Sequence, residues 1–519
     1  MKGSIGTVSS SDNNIQKYYS KLFNDQYAPK YSSNNITNTN NNKSKSKVEI
    51  KEKISVLSVE EILRDHVLSL NVDNCETDGE NAFFVADLGV IYRQHIRWKA
   101  NLPRIEPYYA VKCNPDHILL KLLAVLGTGF DCASKSEIQT ILDLGVDKSR
   151  IIYANPCKQA SFIRYAAQCD VRMMTFDNID EIHKIKRYFP NALLVIRICV
   201  DDSKSICKLS PKFGAPLDTT EILLKTAKSL DMEVIGVSFH VGSGCYEENV
   251  FVDAVYRARY VFDQASKLGY NFHLLDVGGG FSPATDEVGK DCITFEKVAS
   301  LLGPAIDKLF PPNVRVIAEP GRYYSASAFT IATHIIARRA TIRNNDYNNS
   351  KDIKDNGTII TTNGAIDVTN GNSSEEEVDD GDDDDDDDDD ERPLYMYYIN
   401  DGVYGAFNCI LFDHQVVQPK VLYKGGEFTF EQVIEEPEYS CSIWGPTCDS
   451  MDCITKKGFL PELIPGDWLY FEEMGAYTIC AASQFNGFKK SNIFYTTSDL
   501  RIFDILYDDD YDDDDVKKI

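Results

Sequence analysis

Between residues 81 and 325 the chain alternates, eight times over, a short apolar run that stops on a polar residue or glycine with a segment of helical apolar period. The runs end at Lys112 (PYYAVK), Asp131 (GFD), Asn155 (IIYAN), Asp177 (MMTFD), Arg197 (LLVIR), His240 (VSFH), the glycines from Gly278 (LLDVGGG) and Glu319 (VRVIAE). Between them lie stretches such as HILLKLLAVL and FEKVASLLGPAIDKLF, in which apolar residues recur every three or four positions. Strand, helix and strand in one sheet cross over right-handed and build parallel pairs. Eight such units over roughly 240 residues fit a closed (β/α)8 TIM-type barrel, which takes about 250. A doubly wound open sheet satisfies the same alternation. In either fold, functional groups gather at the carboxyl ends of the strands, so these polar ends are candidates to converge on one pocket.

The rest of the chain has a different character. Residues 1–47 are rich in Asn, Ser and Lys and cannot bury enough surface to offset the entropy of ordering, so disorder is expected there. Residues 48–80 carry SVLSVEEILRDHVLSL, in which Ser58 and Glu61 stand at capping-box spacing; this segment is expected to pack with the β domain. Residues 326–507 read as a β-rich domain, from segments such as AFTIATHIIARRATI and DWLYFEEMGAYTICAAS. A low-complexity acidic insertion at 344–392 interrupts it, expected as a solvated loop, and an acidic tail follows at 508–519.

The net charge of −26 is concentrated in these two places: Glu375–Glu391 holds 15 acidic residues and Asp508–Asp515 seven. The body is only mildly acidic, with no basic face for nucleic acid or an anionic membrane. The 14 cysteines lie scattered, without CxxC pairs or zinc spacings, which points to reduced thiols, no metal and a cytoplasmic setting. The first residues, MKGSIGTVSSSDNN, contain no apolar targeting core, and no apolar run approaches the ~18 residues of a membrane helix.

Several strand ends carry chemistry. A lysine ending a buried strand, as Lys112 does, can be desolvated, its pKa lowered, and its free amine can form a Schiff base. DVGGGF (Asp276–Phe281) and VGSGC (Val241–Cys245) offer two glycine loops whose amides, with the Ser243 hydroxyl, suit a phosphate. AEPGRYY sets Glu319 and Arg322 three residues apart, a carboxylate for a heterocyclic nitrogen and a guanidinium for a phosphate. Each has a plainer explanation alone: a surface lysine, a glycine turn, a local Glu319–Arg322 ion pair, a packing histidine at His240. Together they match what pyridoxal 5'-phosphate requires.

PYYAVKCN, GTGFDCASKSEI, MMTFD, FHVGSG, DVGGGF, AEPGRYY, NDGVYGAFNCILFDH, WGPTCDSMD and EEMGAYT closely resemble the eukaryotic ornithine decarboxylases, pyridoxal-phosphate enzymes with an alanine-racemase-like barrel and a β domain. The resemblance runs from about Val56 to Ile505. It implies that L-ornithine is converted to putrescine and carbon dioxide through an external aldimine, for polyamine biosynthesis. It also implies roles: Lys112 for the cofactor aldehyde, His240 stacking on its ring, Glu319 on the pyridine nitrogen, and Ser243, Gly280, Arg322 and Tyr477 on the phosphate. Asp131, Arg197, Pro320 and Gly321 line the cofactor pocket. Cys448 returns a proton to the substrate carbon, and Asp413 and Asp449 receive the distal amine. Cys448 and Asp449 enter from the other subunit of a homodimer. Phe412 stands where many members carry tyrosine. The family also contains non-catalytic regulators that bind the protein antizyme, and relatives acting on lysine, arginine or diaminopimelate, which define the alternative readings.

Overall fold

The computed structural model describes residues 54–71, 74–77, 79–203, 205–245, 247, 249–284, 293–341 and 393–507. The readings made for 1–47, 344–392 and 508–519 lie outside the described residues.

Eight parallel strands close into a barrel: β1 Ile105–Ala110, β2 Gly129–Cys132, β3 Ile151–Tyr153, β4 Met173–Phe176, β5 Leu193–Arg197, β6 Glu233–Ser238, β7 Leu274–Asp276 and β8 Arg315–Ala318. Closure comes from β8 pairing with β1, Val316 opposite Ile105. The eight apolar runs named in the sequence all supply barrel strands, which removes the open-sheet alternative. Tyr108, Ile152, Met173, Val195, Ile235, Leu274 and Ile317 plug the interior. On β2 the corresponding space belongs to Gly129, where a Cβ would lie 2.5 Å from the Tyr108 ring. Because strand side chains alternate, positions two residues beyond this plug again face inward. Counted from Gly129, Met173, Val195, Leu274 and Ile317, those positions are Asp131, Thr175, Arg197, Asp276 and Glu319, a polar layer at the carboxyl end.

Helices cover the outside of the barrel. In Leu88–Asn101, Trp98 is fully buried against Phe281, Phe295, Tyr323 and Tyr324, and its indole donates to Ile105 O at 2.8 Å. It thereby ties β1 to the loop after β7.

The β-rich part is a ten-stranded sheet that draws strands from both sides of the barrel sequence. Phe83–Asp87 pairs with Asn492–Thr496 on one side and with Phe329–Ala332 on the other. This strand lies within the 81–325 segment, yet it joins the sheet and not the barrel. Its sequence FFVAD is buried at every position, a pattern that an inner barrel strand shares. Helix Val59–Ser69 opens with the reciprocal Ser58–Glu61 cap, at 2.7 and 3.1 Å, and sets Ile62, Leu63 and Val67 on Phe83, Val85 and Trp468. Before residue 342 and after residue 392 the chain is held in ladder, Thr341 N donating to Leu394 O at 2.9 Å. No disulfide joins cysteines among the described residues. Within the same residues, no helix is long and apolar enough to cross a membrane.

Removing the Trp98 side chain leaves a cavity where four aromatic rings meet and orphans the Ile105 carbonyl. Trp98→Ala is expected to lower unfolding stability by about 3–5 kcal/mol in urea denaturation.

Candidate active site

Past β1 the chain does not continue as a strand: Lys112 sits in the short 3-10 turn Val111–Cys113. That turn is fastened to the β-rich sheet, because Cys113 O receives Tyr477 N at 2.9 Å and Asn114 Nδ2 donates to Gly475 O at 2.9 Å. Lys112 Nζ is thereby placed 2.5 Å from Asp131 Oδ2 at the end of β2. The lysine side chain is 42% accessible, being open to the cavity, while the Asp131 side chain is 1% accessible. Burial acts to lower the lysine pKa, but the charge and hydrogen bond of Asp131, the foremost of the opposing influences, outweigh it, and the net displacement is upward. The lowered pKa expected from desolvation alone is therefore corrected: the buried carboxylate keeps Lys112 an ammonium.

Lys112 lines a cavity of about 370 Å³ together with His240, Ser243, Gly279, Glu319 and Arg322. Gly280, Gly321, Asp413 and Tyr477 also border it. Pro320 stands behind this wall, its carbonyl accepting Ala110 N at 3.0 Å. The glycines after β7 are demanded by the protein itself. Gly280 has φ +104° and a Cβ there would lie 2.6 Å from Gly242 O; at Gly278, φ is +65° and a Cβ would meet Phe239 O at 2.2 Å.

His240 Nδ1 accepts Gly242 N at 3.0 Å. Burial, with Arg197 and Lys112 nearby, holds its pKa well below the usual imidazole value, so the ring is neutral. Arg197 itself lies with its guanidinium carbon 5.1 Å from the centre of the Phe213 ring.

The carboxyl of Glu319 is not paired with Arg322, as the local ion-pair reading had it. It faces Asp276 on the neighbouring strand, where parallel register sets Asp276 opposite Ile317. Burial first, then the Asp276 and Asp131 charges, raise the Glu319 pKa well above the carboxylate range. Burial also pushes Asp276 up, to about 7. The pair therefore retains a proton. Asp276 Oδ1 accepts Gly278 N at 2.9 Å, whereas Asp276 Oδ2 and Asp131 Oδ1 have no protein partner.

Arg322 instead meets Asp413, at the end of helix Asn408–Phe412, through contacts of 2.7 and 2.5 Å. Cys448 and Asp449 are not among the residues lining the cavity. Cys448 is exposed on a loop after strand Glu438–Trp444, and Asp449 accepts the Tyr404 hydroxyl. Phe412, 72% exposed, also points away from the core. Sequence reasoning gave no role to Asp276, although it opens the DVGGGF motif, and none to Asp452. The latter orders the Cys448 loop by accepting Thr447 N at 3.0 Å, Thr447 Oγ1 at 2.6 Å and Val403 N at 2.8 Å. A carboxylate within an apolar run was the available signal for Asp276.

The chain matches the family described as pyridoxal-dependent decarboxylase, pyridoxal binding domain, over residues 88–326. It is 47% identical to ornithine decarboxylase of Schizosaccharomyces pombe over 444 residues, covering 85% of this chain and 88% of the relative. It is 46% identical to antizyme inhibitor 2 of Xenopus laevis over 436 residues, covering 84% and 85%. Among solved structures it is similar to the arginine decarboxylase of Paramecium bursaria Chlorella virus, with a TM-score of 0.68 and 31% identity over 84% of this chain and 99% of that one.

The proton held by Asp276 and Glu319 has a consequence for stability. An unfolded aspartate titrates near 3.9, so between about pH 4 and pH 7 the native chain binds more protons than the unfolded chain, and stability falls as pH rises through that window. The fall is expected to be on the order of 2–4 kcal/mol in the cofactor-free protein. In urea melts at about pH 5 and about pH 7, Asp276→Asn should flatten it by more than half; parallel curves for variant and parent would refute the buried proton.

Proposed function

The chain belongs to the ornithine decarboxylase family of pyridoxal-dependent decarboxylases, and on that premise we propose that it converts L-ornithine to putrescine and carbon dioxide, in the cytoplasm. The observation that carries this reading is a primary amine, Lys112, held against buried Asp131 in a cavity that His240, Glu319 and Arg322 also line. The residues present suit pyridoxal phosphate: an amine for its aldehyde, a flat neutral ring, a protonated carboxyl and a glycine-bordered cationic end. When bound, the cofactor supplies an electron sink for the pair left on the substrate α-carbon as carbon dioxide departs.

The protein's own residues do the remainder. Lys112 would anchor the aldehyde after yielding a proton to the Asp131 carboxylate 2.5 Å away, which orients it beforehand. Glu319, which retains a proton, would give it to the pyridine nitrogen and then balance the resulting positive charge as a carboxylate. His240, fixed by the Gly242 amide, offers a ring face without adding charge. Ser243, Arg322, Tyr477 and the backbone of Gly280 would hold the phosphate. Asp413 and Asp449 receive the distal ammonium, and Cys448 delivers a proton to the α-carbon.

The last two groups support a homodimer. Cys448 and Asp449 lie outside their own chain's cavity; the nearby Met451, 61% accessible, lines a groove with Leu411, at 43%, and Phe412, which follows Leu411 in the chain, is 72% accessible. A two-fold pair of chains would cover that face and carry each loop to the other's cavity. Phe412 in place of tyrosine removes a hydroxyl there and retains the apolar surface.

A second reading, favoured by the likeness to antizyme inhibitor 2, is a regulator that binds antizyme without catalysis. The complete lysine, histidine and carboxyl set argues for the enzyme. An unsubstituted distal amine also suits a carboxylate pair better than the second amino-acid head group of diaminopimelate would.

The test is carbon dioxide release from carboxyl-labelled ornithine, lysine and arginine. Release is expected from ornithine, dependent on pyridoxal phosphate and lost in Lys112→Ala; no release from any substrate by cofactor-loaded protein would favour the regulator. Mixing inactive Lys112→Ala and Cys448→Ala chains should restore about a quarter of parent activity, because half the dimers then hold one intact site of two. No recovery in mixed dimers would rule out the shared site.

A further inference from the structure

Two ligand-binding residues of the site engage one another. Arg322 Nη2 lies 2.7 and 2.5 Å from the two carboxylate oxygens of Asp413 and 3.3 Å from Ser243 Oγ, with the guanidinium carbon 5.2 Å from the centre of the Tyr477 ring. The pair is largely buried, the two side chains being 22% and 8% accessible. Asp413 Oδ1 also receives Cys207 Sγ at 3.8 Å, and the antiparallel pairing of Ser205–Cys207 with Ser243–Cys245 sets Cys207 opposite Ser243. A group suited to an anion and a group suited to a cation therefore form one unit. That unit spans the barrel end and the helix Asn408–Phe412.

We propose that Arg322 is a positioning residue for the substrate's distal ammonium as well as a phosphate contact, so that phosphate and amine bind cooperatively through the Arg322–Asp413 pair. The proposal rests on the reading of Asp413 as the acceptor of that amine. With the guanidinium held chiefly by Asp413, a phosphate arriving at Ser243 meets a carboxylate of its own sign, and a diamine finds that carboxylate already neutralised. Phosphate draws the planar donor fork of Arg322 toward itself and loosens its hold on Asp413. An ammonium on Asp413 in turn removes the repulsion felt by the phosphate. Each ligand relieves the cost that the pair imposes on the other. Because the coupling is thermodynamic, the factor is the same in both directions.

The full-length chain freed of cofactor is titrated with putrescine by calorimetry, with and without saturating inorganic phosphate. Putrescine is expected to bind at least fivefold tighter with phosphate present, and phosphate to gain by the same factor from putrescine, the lower end of the usual range of coupling. From the holoenzyme, putrescine should slow cofactor loss on dialysis by a similar factor. Arg322→Lys keeps a point charge but no planar fork, so phosphate still binds and the cooperativity falls. Putrescine binding that Asp413→Asn weakens, but that phosphate leaves unchanged, overturns the inference while sparing the reading of Asp413. Putrescine binding indifferent to Asp413→Asn, or undetectable with phosphate present, overturns both. Cooperativity undiminished in Arg322→Lys assigns it to another residue and overturns the proposal.

Discussion

Asp131, Asp276 and Glu319 face into the mouth of one barrel, all nine-tenths or more buried, and the balancing of their charge organises the rest of the site. Carboxylates so close in a low dielectric cannot all ionise. Lys112 answers Asp131 directly, at 2.5 Å, and a retained proton answers the Asp276–Glu319 pair. His240, near Lys112 and Arg197, then has no incentive to take a proton of its own. Ammonium, neutral imidazole and protonated carboxyl are thus fixed by mutual constraint before any ligand arrives. Such preorganisation is how a protein assists charge development without reorganising at the moment of reaction.

That arrangement depends on a part of the chain far from the barrel sequence. The turn bearing Lys112 is bonded to the loop around Tyr477, and Gly475 in that loop sits so close to the turn after Arg322 that a Cβ would lie 1.8 Å from Ser325 O. The β-rich sheet is consequently a wall of the site. Its motifs at Asp413 and Tyr477 border the same cavity as the strand ends of the barrel.

What could be read from the sequence followed from how local the physics was. Strand ends were legible because each barrel strand is a short run buried on both faces, cut off where polar groups meet the mouth. Phe83–Asp87 obeys the same pattern and joins the other sheet, since burial on both faces does not say which neighbours provide it. Desolvation alone gives the wrong direction for Lys112, because the Asp131 carboxylate that reverses it lies 19 residues on, across a strand pairing. Arg322 and Asp413 are 91 residues apart, and no spacing rule reaches that far. The family resemblance implies ligand-binding roles for both, but not that they hold one another.

The Cys448 loop shows that an exposed group need not be a loose one. Asp452 binds Thr447 by backbone and side chain and reaches across to Val403, while Gly402 and Gly445 leave it room, since a Cβ at either would lie 2.2 Å from its Oδ1. The backbone amide of Cys448 is held in addition by Asn486 Oδ1 at 3.1 Å. A thiol destined for its own chain's cavity would gain nothing from being braced outward in this way. One that must meet a substrate on another chain gains a great deal, because ordering a loop on association costs roughly 1–2 kcal/mol per residue fixed. Bracing it beforehand lets that cost fall on folding and not on assembly. On the shared-site proposal, the buried carboxylate of Asp452 acts on Cys448 from outside the pocket, by ordering the loop that carries it.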